Sequence, residues 1–316
     1  MSQSVYVGID LGGTSVKIGV CNESGQLLHK YEGPTRAKAP ADEVVRDIAN
    51  YVRAAVAEAS FTWDQVAGVG AGIAGMMDLK SGVVKLAANL GWTNVPIRQM
   101  LQDELGKPVG IDNDANVAAL GEAWSGAGAG LANVVCFTLG TGVGGGIIVD
   151  YKIYTGFHGM AGEIGHLPSI IDGTGRTCGC GLNGCLETIA SATGIIRSAI
   201  EAVEDGQATS MSNGPIDSAK VVFDAAKSGD AVAMRIVRDA GHHLGRAMAT
   251  LTVVLDAERF VVGGGVSAAG EILFSPIREA YAKYTVAALR ESVQIVPAAL
   301  GNDAGVIGAA GLMIGG

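Results

Sequence analysis

The sequence predicts an α/β protein of two related lobes that face each other across a cleft, on three observations. Residues 4–35 read as three strands joined by two turns, the first of which contains Gly12 and Gly13. Residues 131–156 repeat this order of strand, glycine-rich turn, strand, turn and strand, with Gly140 in the place of Gly12. Apolar residues make up 48% of the 316 residues, so a large core is easily built.

The remaining segments read in order as helices and strands. Residues 41–60 have apolar side chains at helical spacing, residues 65–78 form a strand that runs into a glycine loop, and residues 107–124 read as a strand, a polar turn and a helix. The last third is mostly helical. It includes a strand, a glycine-rich turn and a helix start at 258–273, and then a strand, a turn and an apolar helix at 288–316.

Charge and hydropathy argue against several classes of protein. The net charge of −9 and the pI near 5.0 argue against a nucleic-acid-binding surface and fit a cytoplasmic enzyme. The first residues lack a basic segment ahead of an apolar run, so no signal peptide is predicted. The uncharged stretch 123–149 contains eight glycines, and we predict a loop followed by strands there, not a membrane span.

Glycine turns are the first candidate binding feature. In GIDLGGTSVKIG, the consecutive backbone N–H groups of Gly12–Thr14 can form an anion-binding concavity that a phosphate can approach closely. Asp10, at the end of the preceding strand, can hold hydrated Mg²⁺. LGTGVGGG at 139–146 can do the same, and VVGGGVS stands at 261–267. An ordinary glycine hairpin explains either turn alone, but two turns at matching places favour a nucleotide.

A polar cluster, Asp112-Asn113-Asp114, lies between an apolar strand and a helix. Ligands of open α/β sheets bind at the carboxyl ends of strands. Phosphoryl transfer to an alcohol needs a carboxylate that takes the proton of the hydroxyl, and a neighbouring asparagine can fix other hydroxyls. Helix capping is the alternative, but one cap explains one of these three residues. The cluster therefore indicates a catalytic role.

Three of the five cysteines fall within eight residues, in TCGCGLNGCLE at 177–187. Cys178, Cys180 and Cys185, with the upstream His166, supply three thiolates and one imidazole, a closed tetrahedral set for Zn²⁺. A catalytic zinc keeps an open position, so this set favours a structural ion. Three reduced thiols in a loop are the alternative, but without a metal they would be liable to oxidation.

Two carboxylates accompany this cysteine cluster. Glu163 lies three residues before His166, and Glu187 lies two residues after Cys185. If one ring nitrogen of His166 binds the metal, the other is oriented and can donate to a substrate oxygen. A metal would thus hold one imidazole and two carboxylates in one small volume, which suits a ligand with several hydroxyl groups.

The combined motifs resemble the ROK family (repressors, open reading frames and kinases), and within it the bacterial ATP-dependent glucokinases. DLGGT is similar to the family's first phosphate motif, and EIGH followed by CGCGLNGCLE matches its histidine and cysteine signature in full. The resemblance spans essentially the whole chain. It implies an actin-like (ribonuclease H-like, duplicated) sugar kinase fold with a central cleft, ATP with Mg²⁺ as cofactor, and phosphorylation of the 6-hydroxyl of glucose.

Carried over position by position, the resemblance makes Asp114 the catalytic base. The implied sugar-binding residues are Gly75, Asn89, Asn113, Asp114, Glu163, His166 and Glu187. The implied nucleotide contacts are Asp10, Gly12, Gly13, Thr14, Lys17, Gly140, Thr141, Gly142, Gly144, Gly145, Gly264 and Gly265. The implied ligands of a structural Zn²⁺ are His166, Cys178, Cys180 and Cys185.

Further expectations concern organisation and partners. We expect residues 1–115 and 302–316 to form a smaller lobe, and residues 116–301 a larger lobe with the zinc-binding loop. The helix after Asn302 is expected to cross back onto the first lobe. A homodimer that binds a hexose, with no nucleic acid or membrane as partner, completes the prediction.

Several alternatives stay open at this point. Relatives with nearly the same motifs phosphorylate fructose, mannose or N-acetylated amino sugars. A sugar-responsive repressor of the family would carry an added DNA-binding module, for which a phosphate strand that begins by Val5 leaves no place. A chaperone-like ATPase on the same fold would not explain the carboxylates beside the predicted zinc. Polyphosphate as the donor would call for a long basic strip, which the sequence does not show.

Overall fold

The computed structural model describes residues 4–314. Within that range the thirteen strands are β1 (Val5–Leu11), β2 (Ser15–Cys21), β3 (Leu27–Pro34), β4 (Val66–Ile73), β5 (Met76–Asp78), β6 (Val83–Ala87), β7 (Trp92–Val95), β8 (Val109–Asn113), β9 (Val134–Leu139), β10 (Val143–Val149), β11 (Lys152–Ile153), β12 (Arg259–Gly263) and β13 (Gln294–Pro297). The α-helices of the same range are α1 (Ala41–Glu58), α2 (Ile97–Leu105), α3 (Asp114–Ser125), α4 (Glu187–Ala190), α5 (Ala192–Glu204), α6 (Ala219–Lys227), α7 (Ala231–Leu255), α8 (Glu271–Tyr284), α9 (Ala287–Arg290) and α10 (Ala304–Gly311).

The chain divides into two compact units. The first unit consists of the residues up to 132, residues 146–162 and the residues from 299 onward. The second unit consists of residues 133–145 and 163–298. In this division α3 belongs entirely to the first unit, whereas the lobe limits drawn from the sequence separate its first two residues from the rest. Those lobe limits stay a prediction.

The first unit is built on a five-stranded sheet with the order β3-β2-β1-β4-β8. Strand β1 is antiparallel to β2 and parallel to β4, which is in turn parallel to β8. Asp10, Gly72 and Asp112 are therefore partners in one row across the three parallel strands. This row lies near the carboxyl ends of the strands, so the sheet collects two carboxylates at one edge.

Helix α10 packs directly against the backbone of this sheet. A Cβ atom added at Gly8 would lie 1.8 Å from the carbonyl oxygen of Val306, and one at Gly70 would lie 1.7 Å from that of Ala309. Any side chain at these glycines would therefore push the helix away. On α1, Val44, Ile48 and Val52 are buried in the core of the same unit.

The second five-stranded sheet has the order β11-β10-β9-β12-β13. Strand β12 is parallel to both β9 and β13. The order matches that of the first sheet strand for strand, with β9, β10 and β11 in the places of β1, β2 and β3. The internal repeat predicted from the two glycine-turn segments is therefore confirmed, as is the α/β fold class.

One local prediction was wrong. We predicted a polar turn between the strand and the helix of residues 107–124, but β8 ends at Asn113 and α3 begins at Asp114. The polar side chains replace the turn, because they supply the hydrogen bonds that a helix needs at its first residues.

The uncharged stretch 123–149 folds as predicted. It contains the end of α3, a loop, and strands β9 and β10. Among the residues that the structure describes, no helix is long and apolar enough to cross a membrane.

Glu122 ties two loops to α3 in the first unit. Its side chain is buried, and its carboxylate accepts hydrogen bonds from the backbone N–H groups of Ala127 (2.8 Å), Ala299 (3.1 Å) and Leu300 (2.8 Å). The residues at 299 and 300 open the segment that leads into α10. One carboxylate thus fixes both the exit of α3 and the approach to α10.

Replacing Glu122 with alanine removes the acceptor of all three N–H groups. Because each buried donor left without a partner costs roughly 1–3 kcal/mol, we expect the free energy of unfolding to fall by about 3 kcal/mol. Urea unfolding followed by circular dichroism measures this change. Glu279→Ala, at an exposed position of α8, is the matched control and should stay within about 0.5 kcal/mol of the parent protein. Equal losses of unfolding free energy in the two variants would contradict the role assigned to the Glu122 carboxylate.

Candidate active site

The junction of β8 and α3 gives each of its three polar residues a different task. Asn113 is the N-cap of α3, since its Oδ1 accepts hydrogen bonds from the N–H groups of Ala115 (2.9 Å) and Asn116 (3.4 Å). Asp112 is buried, and its Oδ1 accepts from Nδ2 of Asn116 (2.8 Å) and from the N–H of Asn113 (2.7 Å). Capping thus accounts for one residue and buried bonding for a second. Asp114 is the carboxylate that this arrangement presents at the surface.

Asp114 is solvent-accessible, yet the surrounding protein still acts on its charge. Desolvation raises the pKa of its carboxyl above the ordinary 3.8, against the opposing effect of its hydrogen bond with the N–H of Ala115. Asp10 behaves similarly: burial raises its pKa, Lys17 lowers it, and the charge of Asp114 raises it further. A carboxylate with a raised pKa is a better proton acceptor, so Asp114 is suited to act as a general base.

Two more predicted sugar-binding residues lie in this unit. Gly75 follows β4, and an added Cβ there would lie 2.5 Å from the carbonyl oxygen of Leu86. Its own carbonyl oxygen lies 3.5 Å from Nδ2 of Asn113. Asn89 is exposed in the turn between β6 and β7, and its backbone oxygen would lie 3.1 Å from a Cβ added at Gly13. The structure therefore places Gly75 beside Asn113, and Asn89 beside the first glycine turn.

The first glycine turn joins β1 to β2. The N–H of Gly12 donates to the carbonyl oxygen of Ser15 (3.0 Å), so this group is used within the hairpin. Thr35 holds the turn from outside, since its Oγ1 donates to the carbonyl oxygen of Gly12 (2.8 Å) and its N–H to that of Thr14 (2.9 Å). The predicted anion-binding concavity is thereby reduced to the N–H groups of Gly13 and Thr14. Lys17, on β2, lies directly across from Asp10 on β1.

The second glycine turn is shorter than the sequence motif that contains it. Only residues 140–142 form the turn between β9 and β10, because Gly144 and Gly145 lie within β10, where Gly145 is buried. Gly264 and Gly265 are exposed just after β12, the strand beside β9. Gly264 has φ of +83°, and a Cβ there would lie 2.4 Å from the carbonyl oxygen of Leu139. Its conformation and its closeness to β9 both require glycine.

A cavity of about 390 Å³ lies in the second unit beside this turn. Its wall includes Thr141 and Gly142 of the turn, Glu187, and Ser191, Thr193 and Gly194 at the start of α5. Ser191 is the N-cap of that helix, and its Oγ accepts from the N–H of Gly194 (3.0 Å). A glycine turn beside the amino end of a 13-residue helix presents partial positive charge to a ligand, which suits a phosphate.

The four predicted metal ligands come together in the second unit. The ligand atoms of His166, Cys178, Cys180 and Cys185 all lie within 4.8 Å of one another. The Sγ of Cys178 is 3.5 Å from Nδ1 of His166, and the Sγ atoms of Cys180 and Cys185 are 3.6 Å apart. A tetrahedral ion with bonds of about 2.0–2.3 Å would separate its ligands by about 3.5–3.8 Å. The set can therefore hold a metal ion without large movement.

Backbone pairing holds the cysteine loop, residues 177–187, in place. Residue pairs Pro168–Cys185 and Thr177–Asn183 form isolated antiparallel bridges, and the N–H of Cys178 donates to the carbonyl oxygen of Leu182 (2.8 Å). Without an ion, burial raises the pKa of the Cys178 thiol to about 12. A metal that binds here would therefore have to displace a proton from this sulfur.

The metal-ligand cluster brings two carboxylates to the histidine. Oε2 of Glu163 is 3.9 Å from Nε2 of His166, and Oε1 of Glu187 is 3.8 Å from Nδ1. The Sγ of Cys178 also donates to Oε1 of Glu187 (2.9 Å). Nδ1 of His166 therefore faces the thiol of Cys178, and Nε2 faces Glu163. The predicted grouping of one imidazole and two carboxylates is therefore present.

Arg176 is a structural anchor that the sequence did not reveal. Its guanidinium donates to the carbonyl oxygens of Thr188 (2.9 Å) and Gly194 (3.4 Å), to Oγ of Ser198 (2.9 Å) and to the carboxylate of Glu201. It thereby joins the cysteine loop to α4 and α5. An isolated arginine ahead of a cysteine motif carries no signal of such long-range bonds.

Comparison with known proteins identifies the family. The ROK family model matches residues 6–315, and this chain belongs to the ROK family. Over 312 residues the chain is 41% identical to the glucokinase of Halalkalibacterium halodurans. The alignment covers 98% of this chain and 94% of that protein.

Solved structures agree along the whole chain. The crystal structure of a ROK hexokinase from Thermus thermophilus has a TM-score of 0.84 at 33% identity and covers 98% of this chain and 97% of that one. A ROK family glucokinase from Streptomyces griseus, in complex with glucose and AMPPNP, has a TM-score of 0.76 at 36% identity. The superposition covers 98% of this chain and 99% of that one. The actin-like fold implied by the motifs is therefore confirmed.

The burial of Asp112 gives a testable pH dependence. Burial raises its pKa in the folded state, so the folded protein loses stability as pH rises above 3.8, the ordinary value, and through the raised pKa. Asp112→Asn keeps the accepting Oδ1 without the charge. We expect this variant to gain stability relative to the parent protein as pH rises from about 4 to 8, as measured by urea unfolding.

Asp172→Asn is the matched control for this experiment. Asp172 is exposed, and its hydrogen bonds with Thr174 lower its pKa, so the substitution should show a small trend of opposite sign. A stability difference between Asp112→Asn and the parent protein that does not vary with pH would contradict the assigned burial effect.

Proposed function

We propose that this protein is a glucokinase, which transfers the γ-phosphoryl group of ATP to the 6-hydroxyl of glucose and releases glucose 6-phosphate and ADP. The observation that carries the proposal is the 41% identity with a glucokinase over nearly the whole chain, in which all the motifs described above lie. The accessible carboxylate of Asp114 agrees with this chemistry. So does the group of His166, Glu163 and Glu187, which suits a ligand with several hydroxyl groups.

Asp114 acts as the general base in this proposal. Its carboxylate accepts the proton of the 6-hydroxyl while the oxygen attacks the γ-phosphorus and the bond to the ADP oxygen breaks. The cap formed by Asn113 and the bonds of Asp112 fix the first turn of α3, so the carboxylate needs little reorganisation.

The remaining hydroxyls of glucose are bound by Glu163, His166 and Glu187, with Asn89 and Asn113. Carboxylates accept hydrogen bonds from sugar hydroxyls, and Nε2 of His166 donates one. Asn113 contributes its amide N–H groups, since its oxygen caps α3. Such a mixed set of donors and acceptors distinguishes a polyol from water and from simple alcohols.

The phosphates of ATP bind at the glycine turns. At the first turn, the backbone N–H groups of Gly13 and Thr14 bind phosphate. At the second turn, residues 140–142 and the amino end of α5 bind phosphate. Gly264 and Gly265 lie at the adjacent strand end. Asp10 would hold Mg²⁺ with the nucleotide, and this ion would neutralise charge that develops on the phosphates.

The metal at the cysteine cluster is Zn²⁺ in this proposal, held by His166, Cys178, Cys180 and Cys185. Three thiolates and one imidazole complete a tetrahedral shell, so the ion keeps the loop in shape and takes no part in the reaction. We further propose that the protein works as a cytoplasmic homodimer.

The role of Asp114 predicts a large loss of turnover. Asp114→Ala should lower kcat by at least about 100-fold with sugar binding partly retained, because loss of a general base acts mainly on the chemical step. In the parent enzyme kcat/KM should fall with acidification, through a pKa above 3.8, and the variant should lack this limb. Coupled ADP release with glucose, mannose, fructose, N-acetylglucosamine and N-acetylmannosamine measures both effects.

Asp64→Ala, at an exposed position of the first unit, is the control and should keep parental turnover. Near-normal turnover of Asp114→Ala would remove this residue from its role. Turnover with an amino sugar alone would overturn glucose as the substrate.

The zinc assignment predicts coupled losses of metal and sugar affinity. We expect one zinc per chain by mass spectrometry of the purified protein, and Cys185→Ser should lose it and bind glucose about tenfold more weakly, since the cluster positions Glu163 and Glu187. Cys21→Ala changes a buried cysteine outside the cluster and should keep the metal. A chelated, zinc-free protein that binds glucose normally would contradict the scaffold role.

A further inference from the structure

Gly142 lies against one of the proposed sugar ligands. A Cβ added at Gly142 would lie 2.7 Å from Oε2 of Glu187 and 3.9 Å from its Cδ, and among the described residues other than its two chain neighbours no further heavy atom lies within 4 Å. The other carboxylate oxygen, Oε1, lies 2.9 Å from the Sγ of Cys178, so the carboxylate has no room to move towards that sulfur. It also lies 3.8 Å from the ring of His166.

The backbone of Gly142 does not by itself require glycine. Its φ is outside the left-handed region, and its carbonyl oxygen accepts from the N–H of Gly140 (3.0 Å) in a way open to any residue. Gly140, in the same turn, has open space at its Cβ position and a φ that is likewise outside that region. The two glycines therefore differ in one respect: only Gly142 faces the carboxylate of Glu187.

We infer that Gly142 is a positioning residue for Glu187, so that the turn assigned to the nucleotide also sets the affinity for the sugar. This inference rests on the proposed function for the identity of the ligand. A methyl group at 142 displaces the carboxylate, because 2.7 Å is shorter than any ordinary contact of a carbon with an oxygen. Glu187 then no longer meets the sugar hydroxyl at hydrogen-bond distance.

The competing explanation of Gly142 is close approach of a phosphate. Thr141, Gly142 and Glu187 line the same cavity of about 390 Å³, so both explanations concern one wall of the second unit. The two explanations differ in which substrate loses affinity when residue 142 carries a side chain. Displacement of Glu187 weakens sugar binding in the absence of nucleotide, whereas a blocked phosphate site weakens ATP binding and leaves the sugar alone.

The test measures the Kd of glucose by calorimetry without nucleotide, in the zinc-loaded protein. Gly142→Ala should raise this Kd about tenfold, the effect of weakening one charge-assisted hydrogen bond. Gly140→Ala is the matched control and should leave the glucose Kd within about twofold. In a Glu187→Ala background the added methyl has no carboxylate to displace, so Gly142→Ala should have no further effect there.

A Gly142→Ala variant with the parental glucose Kd and a raised KM for ATP would overturn the inference, as would an unchanged effect of the substitution in the Glu187→Ala background. A crystal structure of ligand-free Gly142→Ala gives an answer that does not depend on the sugar. A shifted carboxylate at Glu187 supports the inference, and a shifted turn with Glu187 in place overturns it. If the parent protein phosphorylates no hexose, the proposed function fails and this structure still decides the role of Gly142.

Discussion

The first unit depends on the absence of side chains between α10 and its neighbours. A Cβ at Gly8 or Gly70 would collide with the carbonyl oxygens of α10, and one at Gly308 would lie 1.6 Å from that of Val117 in α3. Helix and sheet backbones therefore approach more closely than ordinary side-chain packing allows. Because α3 is held in this way at Val117 and Gly121, the position of its first residue, Asp114, follows from backbone packing within the first unit.

At the edge of the same sheet, burial and local hydrogen bonds, and not ion pairing alone, shift the pKa values of the carboxyl groups. Asp10, Asp112 and Asp114 gather at the carboxyl ends of β1 and β8, and burial raises the pKa of all three. Asp112 is kept inside by its amide partners, while Asp10 faces Lys17. These constraints leave Asp114 as the accessible carboxylate, and similar residues are thus given different tasks by their surroundings.

Local signals in the sequence were enough to predict most strands, both glycine turns and the four-residue metal cluster. Such features depend on residues within a few positions of one another, or on a motif with fixed spacing. The bonds of Glu122 and Arg176 were not predictable, because their acceptors and donors lie far along the chain. The turn expected before α3 failed for a related reason: Asn113 and Asp112 satisfy the helix start with side chains, and sequence alone does not distinguish a cap from a short turn. The roles of the individual site residues stay predictions.

The return of α10 to the first sheet has a consequence for synthesis on the ribosome. Most of the first unit is made early, but residues 299–314 are made after the entire second unit. Until they emerge, the glycine-lined face around Gly8 and Gly70 has no covering helix, and Glu122 lacks two of its three donors. The second unit, by contrast, is nearly continuous in sequence and can complete its core first. The nascent chain therefore carries an incomplete first unit for longest, and that is the interval in which chaperone binding would have the greatest effect on its yield.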